Sequence, residues 1–353
     1  MEKLIEDALK NEKAERINEG IEYIRFSKKV GHVSRGTVIV GKRVVWGFPK
    51  IARIFTLEKG LERNIGKDTV YIEEKIDGFN IRIARIDKRL YAFSRGGFVD
   101  HFATEKAEEL KLEKFFFAHP DKILCGEMIG NTPYTKPTSK YDVKFLVFDI
   151  DNGDGSYLPI EEKYRLLDKY KIEGVPRLGK SDTVDIHSIK RMAFLSNKDR
   201  KEGIVIKNKD RTKVVKYVNP NSDIEDIENG VNKIFDMPSG FFDQRILRSG
   251  IYLKDFEMDQ KKYETGLGKA FYSGLIKGLK QIEKEGHVYD YFEITIKNPK
   301  TWKSIVKHMG KDVRIEITDE KDTGNGKKIC FKKIYKKTTK LLRAYMNGKA
   351  QED

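Results

Sequence analysis

The stretch Glu73-Glu74-Lys75-Ile76-Asp77-Gly78-Phe79-Asn80 carries more chemistry than any other in the sequence, and the fold is read outward from it. It follows Val70-Tyr71-Ile72, a β-branched and aromatic run with strand character, so Lys75 stands at the end of a strand. A lysine attacks phosphorus only as the neutral amine, and with an ordinary pKa of about 10.4 only about one in 2,500 is neutral at pH 7. A depression of about three units, roughly 4 kcal/mol between the two protonation states, would make the amine competent. Burial and neighbouring cations both push that way. Asp77-Gly78 supplies a tight turn that lets backbone approach a ligand closely. Period-two alternation places Glu73 on the same face as Lys75. Read alone, the run is equally a surface Asp-Gly turn beside a solvated lysine; its neighbours decide.

Those neighbours arrive in order. Phe93-Ser94-Arg95-Gly96-Gly97 closes the next hairpin and offers a guanidinium, and Cys125-Gly126-Glu127 puts a carboxylate at the end of a strand. Phe145-Leu146-Val147-Phe148-Asp149-Ile150 is a buried strand with an aromatic ring near its end. Lys201-Glu202-Gly203-Ile204-Val205-Ile206-Lys207 opens another strand with a carboxylate, and Lys213-Val214-Val215-Lys216-Tyr217-Val218 adds late cations. Two carboxylates for a metal and a sugar, a ring to stack a base and several cations for a triphosphate are what nucleotidyl transfer requires.

At 353 residues the chain is long enough for several modules, and 39% hydrophobic residues with 11% aromatics exclude wholesale disorder. Lys+Arg 70 against Asp+Glu 55 leaves a formal charge of +15, which favours polyanionic partners, although a charged, soluble surface alone would account for it. No apolar run reaches membrane-span length, and Cys125 and Cys330 form no CxxC pair, so the expected setting is the cytoplasm, with no membrane and no zinc motif.

The spacing predicts an α+β protein dominated by antiparallel sheet. Residues 1 to about 25 read as helix, followed by a hairpin of Thr37–Val40 and Arg43–Trp46, giving an N-terminal module over 1–60. Repeated short strands fill 61–235, interrupted by a helix opening at Pro159. Helices return over 236–285, where Leu267, Phe271, Leu275, Leu279 and Ile282 form one apolar stripe. Gly274 and Gly278 would let another helix approach that stripe, within the chain or from a second subunit. The last module, 286–353, mixes a strand over 291–296 with a basic C-terminal helix.

The ordered elements between about 48 and 218 resemble motifs I, Ia, III, IIIa, IV and V of the covalent nucleotidyltransferase superfamily of DNA ligases, RNA ligases and capping enzymes. Within it the chain is most similar to the archaeal, homodimeric ATP-dependent RNA ligases. KIDGFN with its Asn80, SRGG, the segment Gly47–Ile54 and the helical region after motif V carry that likeness. The resemblance implies an antiparallel-sheet adenylation domain and an enzyme joining RNA 5′-phosphate and 3′-hydroxyl ends, with ATP as substrate and Mg2+ or Mn2+ as metal. It implies Lys75 as the adenylated nucleophile, and Lys216 as a phosphate contact assisting catalysis. Arg95 would bind phosphate or ribose, Glu127 ribose and metal, Glu202 metal, and Phe148 would stack adenine. Asn80 would orient the end to be sealed. Glu73, Glu74 and Ile76 would read adenine, the Glu73 side chain being favoured for N6. The helical region would carry the dimer interface.

Motif V departs from the usual Lys-x-Lys, because Val214 or Val218 stands where the second lysine belongs; Lys213 and Lys207 are the candidates for that cation. No motif VI or following OB-fold is evident, which argues against a DNA ligase or capping enzyme. The rival readings are an ATP-dependent DNA ligase and a degenerate RNA-end-binding protein. Two decoys are set aside. Asp149–Gly155 resembles a calcium loop but has Gly153 where an oxygen ligand is needed. Gly266-Leu267-Gly268-Lys269 lies in a helical stripe and lacks phosphate-loop spacing.

Overall fold

The computed structural model describes residues 2–310, 312–324 and 326–350. Its N-terminus corrects one expectation. The helix spans only Glu2–Lys10. Glu12 takes a left-handed φ of 53°, and Ala14–Asn18 then pairs antiparallel with Glu22–Phe26. Ala14 and Ile17 happen to continue the helical spacing of Leu4, Ile5 and Ala8, but strand pairing takes them. The expected hairpin, Val38–Val40 with Arg43–Val45, completes a four-stranded sheet in sequential order.

Two further sheets make the central module. One, of four antiparallel strands, runs in the order Val143–Asp151, Ile123–Gly130, Phe79–Ile86, Arg89–Ser94. The other runs in the order Arg177–Asp182, Thr69–Lys75, Gly203–Asn208, Val214–Val218, Ala52–Arg53. Its last pair is parallel, so the segment after Phe48 returns to edge the sheet. Strand Thr69–Lys75 ends in the five-stranded sheet and Phe79 begins a strand of the other, so Ile76-Asp77-Gly78 crosses between sheets. A Cβ on Gly78 would lie 2.7 Å from the Met128 carbonyl oxygen, and only glycine permits that crossing.

The central four-stranded sheet is covered on both faces, one of them by packing Ala84, Phe93, Ile123 and Cys125 with Tyr23, Val38 and Val45 of the N-terminal sheet. Ile81, Ile83, Leu124 and Val147 pack with Phe102, Phe115 and Phe116 from helices His101–Glu109 and Glu113–Ala118. That cluster continues into the C-terminal sheet through Phe292, Ile294 and Phe331. Val70, Ile72, Ile204 and Val215 pack with Leu57, Leu61 and Ile189 beneath the second sheet. The helix expected at Pro159 spans Ile160–Tyr170, with Pro159 at its N-cap and left-handed Lys171 ending it. Arg82 is fully buried and donates to the carbonyls of Trp46, Gly36 and Ser94, which ties the N-terminal segment to the central hairpin.

Beyond 218 come helices Pro220–Val231, Phe241–Asp255 and Gln260–Glu285. The predicted stripe does lie on one helix. Gly274 and Gly278 admit the chain's own helix: added Cβ atoms would sit 2.4 Å and 2.8 Å from the Glu228 and Asn232 carbonyl oxygens. A three-stranded sheet follows, in the order Tyr289–Ile296, Gly326–Tyr335, Val313–Thr323, flanked by helices Pro299–His308 and Lys336–Met346. Among the described residues no helix is long and apolar enough to cross a membrane.

Candidate active site

The cleft forms where the two central sheets expose their strand ends. Its floor comes from the last residues of the strand Thr69–Lys75, where Glu73, Glu74 and Lys75 pair with Val205, Ile204 and Gly203. Register sets Gly203 opposite Lys75, so the preceding Glu202 reaches the lysine amine and forms an ion pair with it. In the other sheet Asn80 is opposite Glu127, which lies mid-strand rather than at the strand end expected. The cleft is lined by Glu73, Glu74, Lys75, Ile76, Asn80, Arg95, Glu127, Phe148 and Lys216, and further by Phe48, Asp149 and Lys207. Every predicted site residue but two is in that lining. Glu202 lines the contiguous cavity across Lys75.

Lys213 is the exception and a correction. It precedes the strand Val214–Val218, and its amine turns away to donate to the Ile65 carbonyl at 2.7 Å. Lys207 lies in the cleft wall instead. Its amine is 2.6 Å from Glu73 Oε2 and 3.0 Å from Asp149 Oδ1, and donates to the Phe148 carbonyl at 2.7 Å.

Behind the cleft floor lies a chain of buried charges that the sequence did not announce. Lys163 pairs with Glu73, Glu73 with Lys207, Lys207 with Asp149, and Asp149 takes Arg211 in a two-pronged contact at 2.8 and 2.6 Å. Burial raises the Glu73 carboxyl, but Lys207 and Lys163 lower it further, to a net fall below the ordinary range. Burial likewise raises Asp149, and Lys207 with Arg211 pulls it far down. Lys163, buried and beside Lys207, falls to about 8. Both Glu73 oxygens therefore face lysines while the residue still lines the cleft.

The same two lysines hold Phe148. The strand Val143–Asp151 carries a β-bulge between Val147 and Asp149, which frees the Phe148 carbonyl from sheet pairing. Lys163 and Lys207 donate to it at 2.8 and 2.7 Å. The Phe148 ring lies 5.0 Å from Phe48, edge to face, so the cleft has an aromatic corner built from the N-terminal segment and the strand Val143–Asp151.

On the opposite wall the charges are arranged for phosphate and metal. Lys216 is half-buried and its pKa is lowered to about 8, first by burial and then by Arg53, Lys75 and Arg95. Sequence reading expected cations nearest Lys75; its closest charged partner is instead the carboxylate of Glu202, with Arg95 and Lys216 lining the same cavity. Burial drives Glu127 up to about 8, with Lys75 opposing and Glu202 adding to the rise, and burial also raises Glu202. Glu127 Oε2, Glu202 Oε2 and Asn80 Oδ1 are buried acceptors without a hydrogen-bond partner. Buried acceptors so placed call for a cation or a donor from a ligand. Among the described residues no three or more His, Cys, Asp or Glu side chains are grouped to hold a metal. Two carboxylates completed by phosphate and water are the usual magnesium arrangement, and these residues fit it. The Asp149–Gly155 loop is a turn: Asp151 Oδ1 accepts from Gly153 and Gly155 backbone nitrogens.

Comparison with known proteins agrees with this geometry. Residues 68–218 match the RNA ligase family, and residues 230–349 match the C-terminal region of the ligase Pab1020. A solved archaeal ATP-dependent RNA ligase is 28% identical, covers 98% of this chain and 96% of its own, and superposes with a TM-score of 0.90. An Aquifex aeolicus protein provisionally described as an ATP-dependent DNA ligase is 29% identical over the full length of both chains, with a TM-score of 0.92. An uncharacterised protein of Methanocaldococcus jannaschii is 30% identical over 93% of this chain and 88% of its own length. With that relation spanning nearly the whole sequence, and the solved archaeal structure matching every module, the chain belongs to the archaeal-type ATP-dependent RNA ligase family.

Proposed function

We propose that this ligase seals RNA 5′-phosphate and 3′-hydroxyl ends at the expense of ATP, with Lys75 carrying AMP between the two substrates. One observation carries the reading: Lys75, Glu202, Glu127, Arg95 and Lys216 converge on one cleft beside an aromatic corner, with buried carboxylate oxygens left unpaired. In this structure Lys75 is the ion partner of Glu202, so its amine becomes a nucleophile only when that pairing is given up. It then attacks the α-phosphorus of ATP and pyrophosphate leaves. The RNA 5′-phosphate attacks the lysyl-AMP phosphorus, forming AppRNA and freeing Lys75. The 3′-hydroxyl attacks the activated RNA phosphate; AMP leaves as the phosphodiester forms. Arg95 and Lys216 offset the negative charge that gathers on the transferring phosphate. Glu202 and Glu127 would hold a divalent ion, Mg2+ or Mn2+, which supplies further positive charge at that phosphate. Phe148 and Phe48 frame the adenine, while Glu73, fixed by its lysines, and the backbone near Glu74 and Ile76 face its edge.

In this scheme the adenylation module takes in the strand Ala52–Arg53 and the helix Leu57–Asn64 as well as the rest of 61–235, so the expected boundary at 60 moves toward the N-terminus; a dimerisation module at 236–285 and a C-terminal module at 286–353 follow. Ile246, Leu247, Tyr272 and Ile276 are exposed apolar residues on the helices, which supports a homodimer formed there; light scattering of the purified protein tests it.

The decisive assay offers labelled ATP or GTP, then 5′-phosphorylated single-stranded RNA or nicked duplex DNA. An acid-labile AMP adduct and sealed RNA are expected. Sealing of nicked DNA with no RNA product would replace the reading with the DNA-ligase alternative, and no adduct with any divalent metal would favour a pure RNA-end binder. The pH response follows from Lys216. Below about 8 it is an ammonium that attracts phosphate; above, it loses its charge in the free enzyme. ATP affinity should therefore be flat well below pH 8 and weaken as pH rises through that value. Lys216→Arg, which stays charged, should remove the decline. An unchanged alkaline decline in that variant would assign it to another group.

A further inference from the structure

The nucleotide cleft does not end at Lys75. It opens into a cavity of about 470 Å3 that shares Lys75, Asn80, Arg95 and Glu127 with it. That cavity meets a third depression of about 420 Å3 at Asp77, Gly78, Tyr134 and Glu202. The third in turn runs into a trough of about 680 Å3 through Lys136, Arg200, Glu225 and Asn229. The result is a continuous channel from the reaction centre to the long helix Gln260–Glu285.

The chemistry of the channel changes along its length. Near Lys75 it is lined by carboxylates and by the aromatic pair Phe79 and Tyr134, whose rings are 4.8 Å apart. At the far end it is basic: Lys136, Arg200, Lys262, Lys269 and Lys277 stand against Glu225 and Glu228. Lys262, Lys269 and Lys277 fall on one face of the helix over roughly 22 Å, at 1.5 Å per residue. Gly266 and Ser273 sit between them on that face and keep the trough open. All three lysines are exposed, and none makes an ion pair within 4 Å among the described residues. Lys269 belongs to the Gly266–Lys269 run set aside above as a phosphate loop; it faces the trough through helical spacing instead.

We propose that this channel is the path of the RNA strand whose end is being sealed. The terminal nucleotide would lie between Lys75 and Tyr134, and phosphates several nucleotides away would contact the lysine face. An evenly spaced row of exposed cations opening from a ligation centre matches a polyphosphate backbone in charge and in linear shape. The inference rests on the RNA-ligase reading and adds to it how the substrate's length is felt.

The test uses the full chain carrying Lys262→Glu, Lys269→Glu and Lys277→Glu. A control carries the same charge change at Lys88, Arg89 and Lys114, where residues 88 and 89 occupy the hairpin end opposite Asn80 and Arg95. Lysyl-AMP formation, sealing, and binding of 5′-phosphorylated RNAs about 5 and about 20 nucleotides long are measured across a salt series. The trough variant should form lysyl-AMP normally and bind the short RNA as the parent does. Its affinity for the long RNA should fall by about tenfold or more, and the salt slope should drop by about 2, near 0.7 per lost phosphate contact. Equal binding and slope, or an equal loss in the control, overturns the path. A changed molar mass in light scattering also overturns it, assigning the face to a subunit contact. A parent protein that forms lysyl-AMP but seals no RNA would instead defeat the RNA-ligase reading, so the two failures are distinguishable.

Discussion

Replacing Lys75 by Ala should abolish the acid-labile AMP adduct completely and with it the sealing of 5′-phosphorylated RNA. The loss is total because no other amine in the cleft is placed to stand in: Lys207 is held by Glu73, Asp149 and the Phe148 carbonyl, and Lys216 lies one sheet strand beyond Glu202. Lys75→Arg separates chemistry from architecture. The guanidinium can keep the ion pair with Glu202, so the protein should fold as before, yet it is never neutral and should form no adduct. Sealing of a pre-activated AppRNA should survive both substitutions, since the work of the lysine ends when AMP has been passed on. An adduct that persists in Lys75→Ala, located by peptide mapping, would move the nucleophile elsewhere and dissolve the assignment of the whole cleft.

The second large effect is on stability. Asp149→Ala leaves Lys207 and Arg211 buried with their shared counter-charge gone. Removing one partner of a buried ion pair costs about 3–5 kcal/mol. Urea unfolding followed by tryptophan fluorescence should show a loss of that size, whereas Arg177→Ala, which breaks the exposed, solvent-screened pair with Asp168, should cost far less. The sign with pH is fixed by the direction of the shift. Asp149 is depressed in the folded protein, so its contribution is complete above the ordinary carboxylate value of about 3.9 and is lost only as pH falls toward the lower folded value. Equal stabilities for parent and Asp149→Ala near pH 6 would show that the buried charges are idle.

Much of this site was legible in the sequence because strands carry their faces openly. Lys75 with Glu73 follows from alternation, and the order of the acidic and basic elements from the chain itself, whereas the mid-strand place of Glu127 opposite Asn80 needed the sheet register. The same parity, carried one step further, would have put Lys207 rather than Lys213 in the cleft lining: Val205 and Lys207 share a face and both line it, while Lys213 lies outside its strand. Lys163 left a fainter trace. It falls with Ile160, Leu166 and Leu167 on the apolar side of its helix, where a charge requires a buried partner. Asp149 left none, because its direction depends on the displaced register at Phe148. The first 25 residues misled for another reason: a helical spacing of apolar residues lost to a local hairpin, whose turn at left-handed Gly20 the helical reading passed over.

That displaced register has a consequence for insertions and deletions. Because Phe148 is the extra residue between two correctly paired stretches, removing it would let the strand zip against Ile123–Gly130 without interruption. The hydrogen-bonded ladder would become more regular, and the protein's chemistry would suffer for it. The two ammonium groups at Lys163 and Lys207 would lose the carbonyl they share, and the cleft would lose the Phe148 ring, although the paired residues on either side would keep their faces. At this position a tidier sheet is the damaged one, so a single-codon deletion here should be tolerated far less well than a conservative change of the ring.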